Sequence, residues 1–74
     1  MNKVKVKCYS GYRANERPIL FVLDDRQFIV EKINKLWRTP DFEYFEVFAG
    51  DERMCLLKHD MKNNEWLLEW IENK

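Results

Sequence analysis

Val4, Val6 and Cys8 alternate with Lys3, Lys5 and Lys7. Successive side chains of a strand point to opposite faces, so this period of two predicts a strand over residues 3–9, with its lysines toward water. Ile19 to Leu23 follows Pro18 as a continuous apolar run, the pattern of a strand covered on both faces. Asp24-Asp25 is a turn signal, because short acidic side chains bond nearby backbone and tolerate left-handed conformations. Over residues 42–49, Phe45 and Val47 share one face, and Tyr44, Glu46 and Phe48 share the other. Gly50-Asp51 then suits a tight hairpin, and residues 53–59 form the returning strand. Asp60 to Asn64 reads as a turn, and residues 65–71 close the pattern with Trp66, Leu68 and Trp70 at alternate positions on one face.

Residues 27–37 fit two templates. Ile29, Val30, Ile33, Leu36 and Trp37 have helical spacing, Asp25 is placed to cap a helix, and Pro40 lies beyond its end. Against this, Ile29, Val30 and Ile33 are β-branched and Phe28 is aromatic. Phe28 and Val30 alternate, and parity breaks between Val30 and Ile33, as one inserted residue in a bulged strand would cause. The strand reading is preferred. The expected fold is a single all-β domain over residues 1–74, an antiparallel meander of five or six strands curled into a roll or small barrel. The alternative is α+β, with a helix at about residues 26–37.

Composition sharpens this picture. A chain of 74 residues has a thin core, but eleven of them are aromatic (three Trp, three Tyr, five Phe). A homodimer is a second way to hide so many rings. Thirteen basic and thirteen acidic side chains give no net charge, which argues against long-range attraction to nucleic acid. No run approaches the ~20 apolar residues of a membrane span. The charged start of the chain has no apolar signal-peptide segment, and two cysteines are too few for a disulfide framework. These features point to a reducing cytoplasm.

Several segments carry a resemblance. They are Arg17-Pro18-Ile19-Leu20-Phe21-Val22-Leu23, Arg26-Gln27-Phe28-Ile29-Val30, Leu36-Trp37, Tyr44-Phe45-Glu46-Val47, Met54-Cys55-Leu56-Leu57-Lys58-His59-Asp60 and Trp66-Leu67-Leu68. Over roughly residues 8–70 the chain resembles a group of short, uncharacterised bacterial cytoplasmic proteins. In these an Arg-Pro start, a hairpin ending in tryptophan, a Tyr-Phe-x-Val strand and a Leu-x-His-Asp turn recur in this order. The resemblance implies a compact β-rich domain and brings no activity or catalytic residue. Many such proteins have glycine in the hairpin where this chain has Asp24-Asp25.

Candidate chemistry is sparse. Cys55 and His59 would share a strand face but lie ~13 Å apart along it. Cys8 would add a third ligand, yet a structural zinc takes four and no fourth Cys or His exists, so no metal or other cofactor is expected. His59 beside Asp60 suggests acid–base work, but sequence adjacency does not orient a base. The simpler expectation is that His59 ends a strand and Asp60 caps a turn. Tyr12, Arg13, Arg17, Trp37 and Arg38 would make a basic-aromatic surface for single-stranded nucleic acid if the fold gathered them. Core rings with solvated arginines are the competing reading. The weak binding candidates are therefore Tyr12, Arg13, Arg17, Trp37, Arg38 and His59. The expected function is a non-catalytic cytoplasmic protein-interaction module, with a protein partner or a second copy as its target. A nucleic-acid-binding small β-barrel is the alternative, and a thiol- or metal-dependent enzyme the third reading.

Overall fold

Alternation of apolar and polar side chains sets the strands, and the turn residues between them set the order. The structure is a computed structural model that describes residues 2–9, 17–50 and 52–72. Tyr12 and Arg13 lie outside the described residues. Six strands follow in sequence: β1 (Asn2–Tyr9), β2 (Arg17–Leu23), β3 (Arg26–Arg38), β4 (Phe42–Ala49), β5 (Arg53–Asp60) and β6 (Glu65–Ile71). Each is antiparallel to its neighbours, and β1 pairs with β6 to close the barrel. The all-β reading holds. Among the described residues there is no helix, and so none long and apolar enough to cross a membrane.

Two strands change partners along their length. The start of β1 pairs with β6 through Asn2–Val4, and its remainder pairs with β2 from Lys5. The start of β3 pairs with β2 through Arg26–Ile29, and the rest pairs with β4 from Val30 to Arg38. These two crossings bend the meander into a closed wall.

The helical alternative at residues 26–37 fails for a specific reason. The β3–β4 register slips between Val30 and Lys32 and again between Ile33 and Lys35. Each slip inserts one residue and reverses the parity of the positions after it. Val30, Ile33 and Leu36 therefore oppose the buried Ala49, Val47 and Phe45 at every third residue. Two bulges three residues apart mimic the spacing of a helix.

The core is formed by the inward residues, centred on Phe21, Phe28, Phe45, Val47, Cys55 and Leu57. Phe21 and Phe28 face each other across β2 and β3 and stack, with ring centroids 5.0 Å apart. The expectation that residues 19–23 are covered on both faces is corrected. Phe21 is fully buried, but Ile19 is exposed, because the β1–β2 register slips there: Lys7 pairs with Leu20 and Cys8 with Pro18, so Ile19 is an inserted residue and Pro18 is buried in its place. The shared face of Trp66, Leu68 and Trp70 is also corrected. Leu57 pairs with Leu68 but Leu56 pairs with Trp70, so an extra residue enters β6 at Glu69. Leu68 stays buried while Trp70 is turned outward and is 43% exposed.

Left-handed residues close the turns. Asp24 and Asp25 both have positive φ, of 49° and 65°, between the paired Leu23 and Arg26. A two-residue hairpin with both central φ values positive has a twist that matches the strands it joins. Gly50 has φ of 62°, and a Cβ there would lie 3.2 Å from the Phe28 ring.

Candidate functional site

Two neighbouring rows of the barrel wall hold the chemically distinctive side chains. The first row runs across the inner wall at the end of the barrel where the β3–β4 and β5–β6 turns lie. Arg38 pairs with Glu43, Glu43 with His59, and His59 with Trp66, so four strands each contribute one residue. Inward direction follows from parity with the buried Phe45 and Leu57. Arg38 Nε lies 2.8 Å from Glu43 Oε2. The other oxygen of Glu43 lies 3.3 Å from His59 Nδ1. His59 Nε2 lies 3.0 Å from Oδ1 of Asn64, and the His59 ring stacks on Trp66 with centroids 4.2 Å apart.

The β5–β6 turn places Asn64. Asp60 Oδ1 accepts from the backbone amides of Lys62 and Asn63, and its other oxygen accepts from the Asn63 side chain. These bonds, the Asn63 side chain first, hold the Asp60 carboxyl below its ordinary value of 3.8. The turn ends on Asn64 with φ of 53°, a left-handed conformation that asparagine tolerates better than most residues. Asp60 is thus a turn cap, as its sequence position suggested.

This row is a poor catalyst as built. The carboxylate of Glu43 accepts, so Nδ1–H of His59 donates to it. Nε2, the nitrogen a general base would present to substrate, faces Asn64 Oδ1, itself an acceptor. The contact is a hydrogen bond when Nε2 also carries a proton or when the Asn64 amide turns its NH2 toward the ring, and either arrangement occupies that nitrogen. Among the described residues no buried side-chain nitrogen or oxygen lacks a partner. Cys55 is inward in the same strand, but Leu57 lies between it and His59. Burial pushes the Cys55 thiol up to about 11, with Arg53 lowering it and Glu72 raising it by smaller amounts. A thiol of that kind is protonated and unreactive at neutral pH. Among the described residues no group of three Cys, His, Asp or Glu side chains is placed to hold a metal ion.

The second row lies back to back with the first, on the outer wall. Trp37 pairs with Tyr44, Tyr44 with Lys58, and Lys58 with Leu67. Trp37 and Tyr44 stack at 5.3 Å, and Lys58 Nζ sits 4.1 Å from the centre of the Phe42 ring. The next outward row reads Lys35, Glu46, Leu56 and Trp70, and beyond it Phe48 opposes Met54. An apolar band therefore crosses the outside of β3–β6 between two tryptophans, Trp37 and Trp70, each more than 40% exposed. Its charges are matched locally: Lys58 with Glu69 at 3.4 Å and Lys35 with Glu46 at 4.0 Å.

The fold disperses the basic-aromatic surface considered from the sequence. Trp37 lies on the outer wall with Tyr44, and Arg38 lies on the inner wall against Glu43. Arg17 starts β2 and borders a shallow groove facing Val30–Ile33 of β3. His59 is inward and buried. Glu43 and Asn64 are the partners that sequence reasoning missed. Counting outward from the Gly50 hairpin, with Ala49 opposite Arg53, places Glu43 opposite His59, so the signal was present for one of them. In comparisons with known proteins, no family model, no curated protein and no solved structure matches this chain.

Proposed function

We propose that this domain is a non-catalytic protein-interaction module of the cytoplasm, and that the outer wall of β3–β6 docks its partner. The reading includes kinship with the short bacterial proteins the sequence resembles. The observation that carries it is the band between Trp37 and Trp70. Single exposed apolar residues are ordinary on a protein surface, but a continuous band with large rings at both ends marks an interaction surface. Tryptophan and tyrosine are enriched at the energetic centres of such surfaces. Lys35 and Lys58 on this wall already have carboxylate partners, which reduces the cations available for phosphate contacts and favours a protein over a polyanion. The occupied Nε2 of His59 and the protonated thiol of Cys55 support a non-catalytic role.

The test is photocrosslinking in cells with benzoylphenylalanine carried at position 70 or, as a control, at the exposed position 27 on the outside of the β2–β3 hairpin. Position 70 should give discrete protein adducts, and position 27 should not. No adduct from position 70 would overturn the reading. Stacking of Trp37 on Tyr44 is the one feature that favours the nucleic-acid alternative, because bases stack on exposed rings. Filter binding with single-stranded oligonucleotides at low salt decides it: affinity that falls steeply with added salt moves the assignment to nucleic acid.

A further inference from the structure

We infer that the free edge of β3 pairs with the same edge of a second copy, joining two barrels through an antiparallel β3–β3 contact. The inference concerns the edge and shares Trp37 with the outer face, and the two are told apart because the outer face is tested at position 70.

The edge exists because β3 outruns β2. From Val30 to Arg38, β3 has β4 on one side and no strand among the described residues on the other. Unpaired backbone N–H and C=O groups along a strand are a template for another strand. The side chains there are not those of a blunted edge alone. Leu36 is 45% exposed although it points to the inner side, and Trp37 is exposed on the outer side. Where β2 diverges, Arg17–Ile19 and Val30–Ile33 border an open groove of about 370 Å³, which leaves room for an incoming strand end.

The choice of a second copy rests on the sequence of the edge itself. Lys32, Lys35 and Arg38 recur every third residue, and antiparallel registers that set two of them opposite each other are repulsive. Several registers avoid this, and of those that also stop short of β2 and set inner residues against inner ones, one has the longest overlap. It sets Ile33 opposite the partner's Leu36, and Lys32 opposite the partner's Trp37. Ile33 and Leu36 are both inner residues, opposite Val47 and Phe45 of β4, and Lys32 and Trp37 are both outer residues, opposite Phe48 and Tyr44. The pairs are therefore apolar on one side and cation over indole on the other. The same register brings Glu31 level with the partner's Arg38. Lys35 comes opposite the partner's Asn34, with its charge already answered by Glu46. The incoming strand ends at its Thr39-Pro40 turn before reaching Arg26–Ile29, where β2 already occupies the edge. The bulges after Val30 and Ile33 restrict pairing with arbitrary strands.

Sedimentation velocity on the full chain from 5 to 500 µM should show a monomer–dimer equilibrium, and Leu36→Glu should weaken it at least tenfold. Isotope-filtered NMR on a mixture of labelled and unlabelled protein should show methyl contacts between Ile33 of one copy and Leu36 of the other, with no substitution needed. A monomer throughout the range overturns the proposal. So does a dimer without those contacts, or one that Trp70→Ser abolishes and Leu36→Glu leaves intact. Neither result touches the crosslinking test of the outer wall.

Discussion

Two rows of the same four strands, one residue apart, obey opposite rules. On the inner wall Arg38, Glu43, His59 and Trp66 satisfy one another, with a carboxylate shared between a guanidinium and an imidazole and a ring stacked on a ring. On the outer wall Trp37, Tyr44, Lys58 and Leu67 place a comparable set of groups partly in water, with a tryptophan at the rim. A polar group inside a small barrel has to be fully partnered, because desolvation without a bond costs about 1–3 kcal/mol. The same groups outside are released from that demand and can be shaped for a partner. Position relative to the wall, more than residue type, separates the structural set from the set proposed for recognition.

The largest expected effect tests that contrast directly. Phe45→Ala empties a fully buried inner position and should cost about 3–5 kcal/mol in urea denaturation. Trp37→Ala on the outer wall should cost no more than about 1.5 kcal/mol, the scale of a single aromatic pair. Equal losses would erase the distinction between the walls. Next in size, Glu43→Ala leaves the buried His59 Nδ1 without its partner, while the exposed Arg38 turns to water, and should cost about 1–3 kcal/mol. Adding His59→Phe should then cost less than the two single losses together, because one pair is being removed twice. A smaller gain is expected at the β2–β3 hairpin, where Asp25→Gly relieves a left-handed aspartate and should stabilise by up to about 1 kcal/mol.

A thiol titration sharpens the inner side without altering stability at neutral pH. Cys55 in the native barrel should resist alkylation at pH 8. The unfolded thiol ionises near its ordinary value of 9.0, while the folded one keeps its proton up to about 11. Between those values the unfolded chain binds fewer protons, so stability falls as pH rises through that window. A native thiol alkylated as fast as the unfolded one would contradict the burial of Cys55.

The fold was largely legible because period two dominates the chain. Lys3 to Cys8 and Phe42 to Ala49 announce strands, and Asp24-Asp25 and Gly50 announce reversals. The bulge near Val30 was legible as a break in parity, and the second one, past Ile33, was hidden inside helix-like spacing. The bulge at Glu69 left no mark at all, since Trp66, Leu68 and Trp70 alternate perfectly in sequence. An inserted residue is visible only against its partner strand, here Leu56 and Leu57. The His59 cluster was opaque for the same reason. Glu43 and Trp66 reach it from neighbouring strands, and Asn64 comes from a turn whose left-handed last residue no periodicity encodes.

The seam between Asn2–Val4 and Leu68–Trp66 holds only a few residue pairs. It nevertheless fastens chain segments roughly sixty residues apart, a closure that costs on the order of 4 kcal/mol in chain entropy. Amide hydrogens there should exchange with deuterium sooner than those of β4 and β5. Parting this seam frees the start of β1 from Trp66 but leaves Trp66 paired with His59 across β5 and β6. The barrel's shortest seam should therefore give way before the wall that shelters its one histidine.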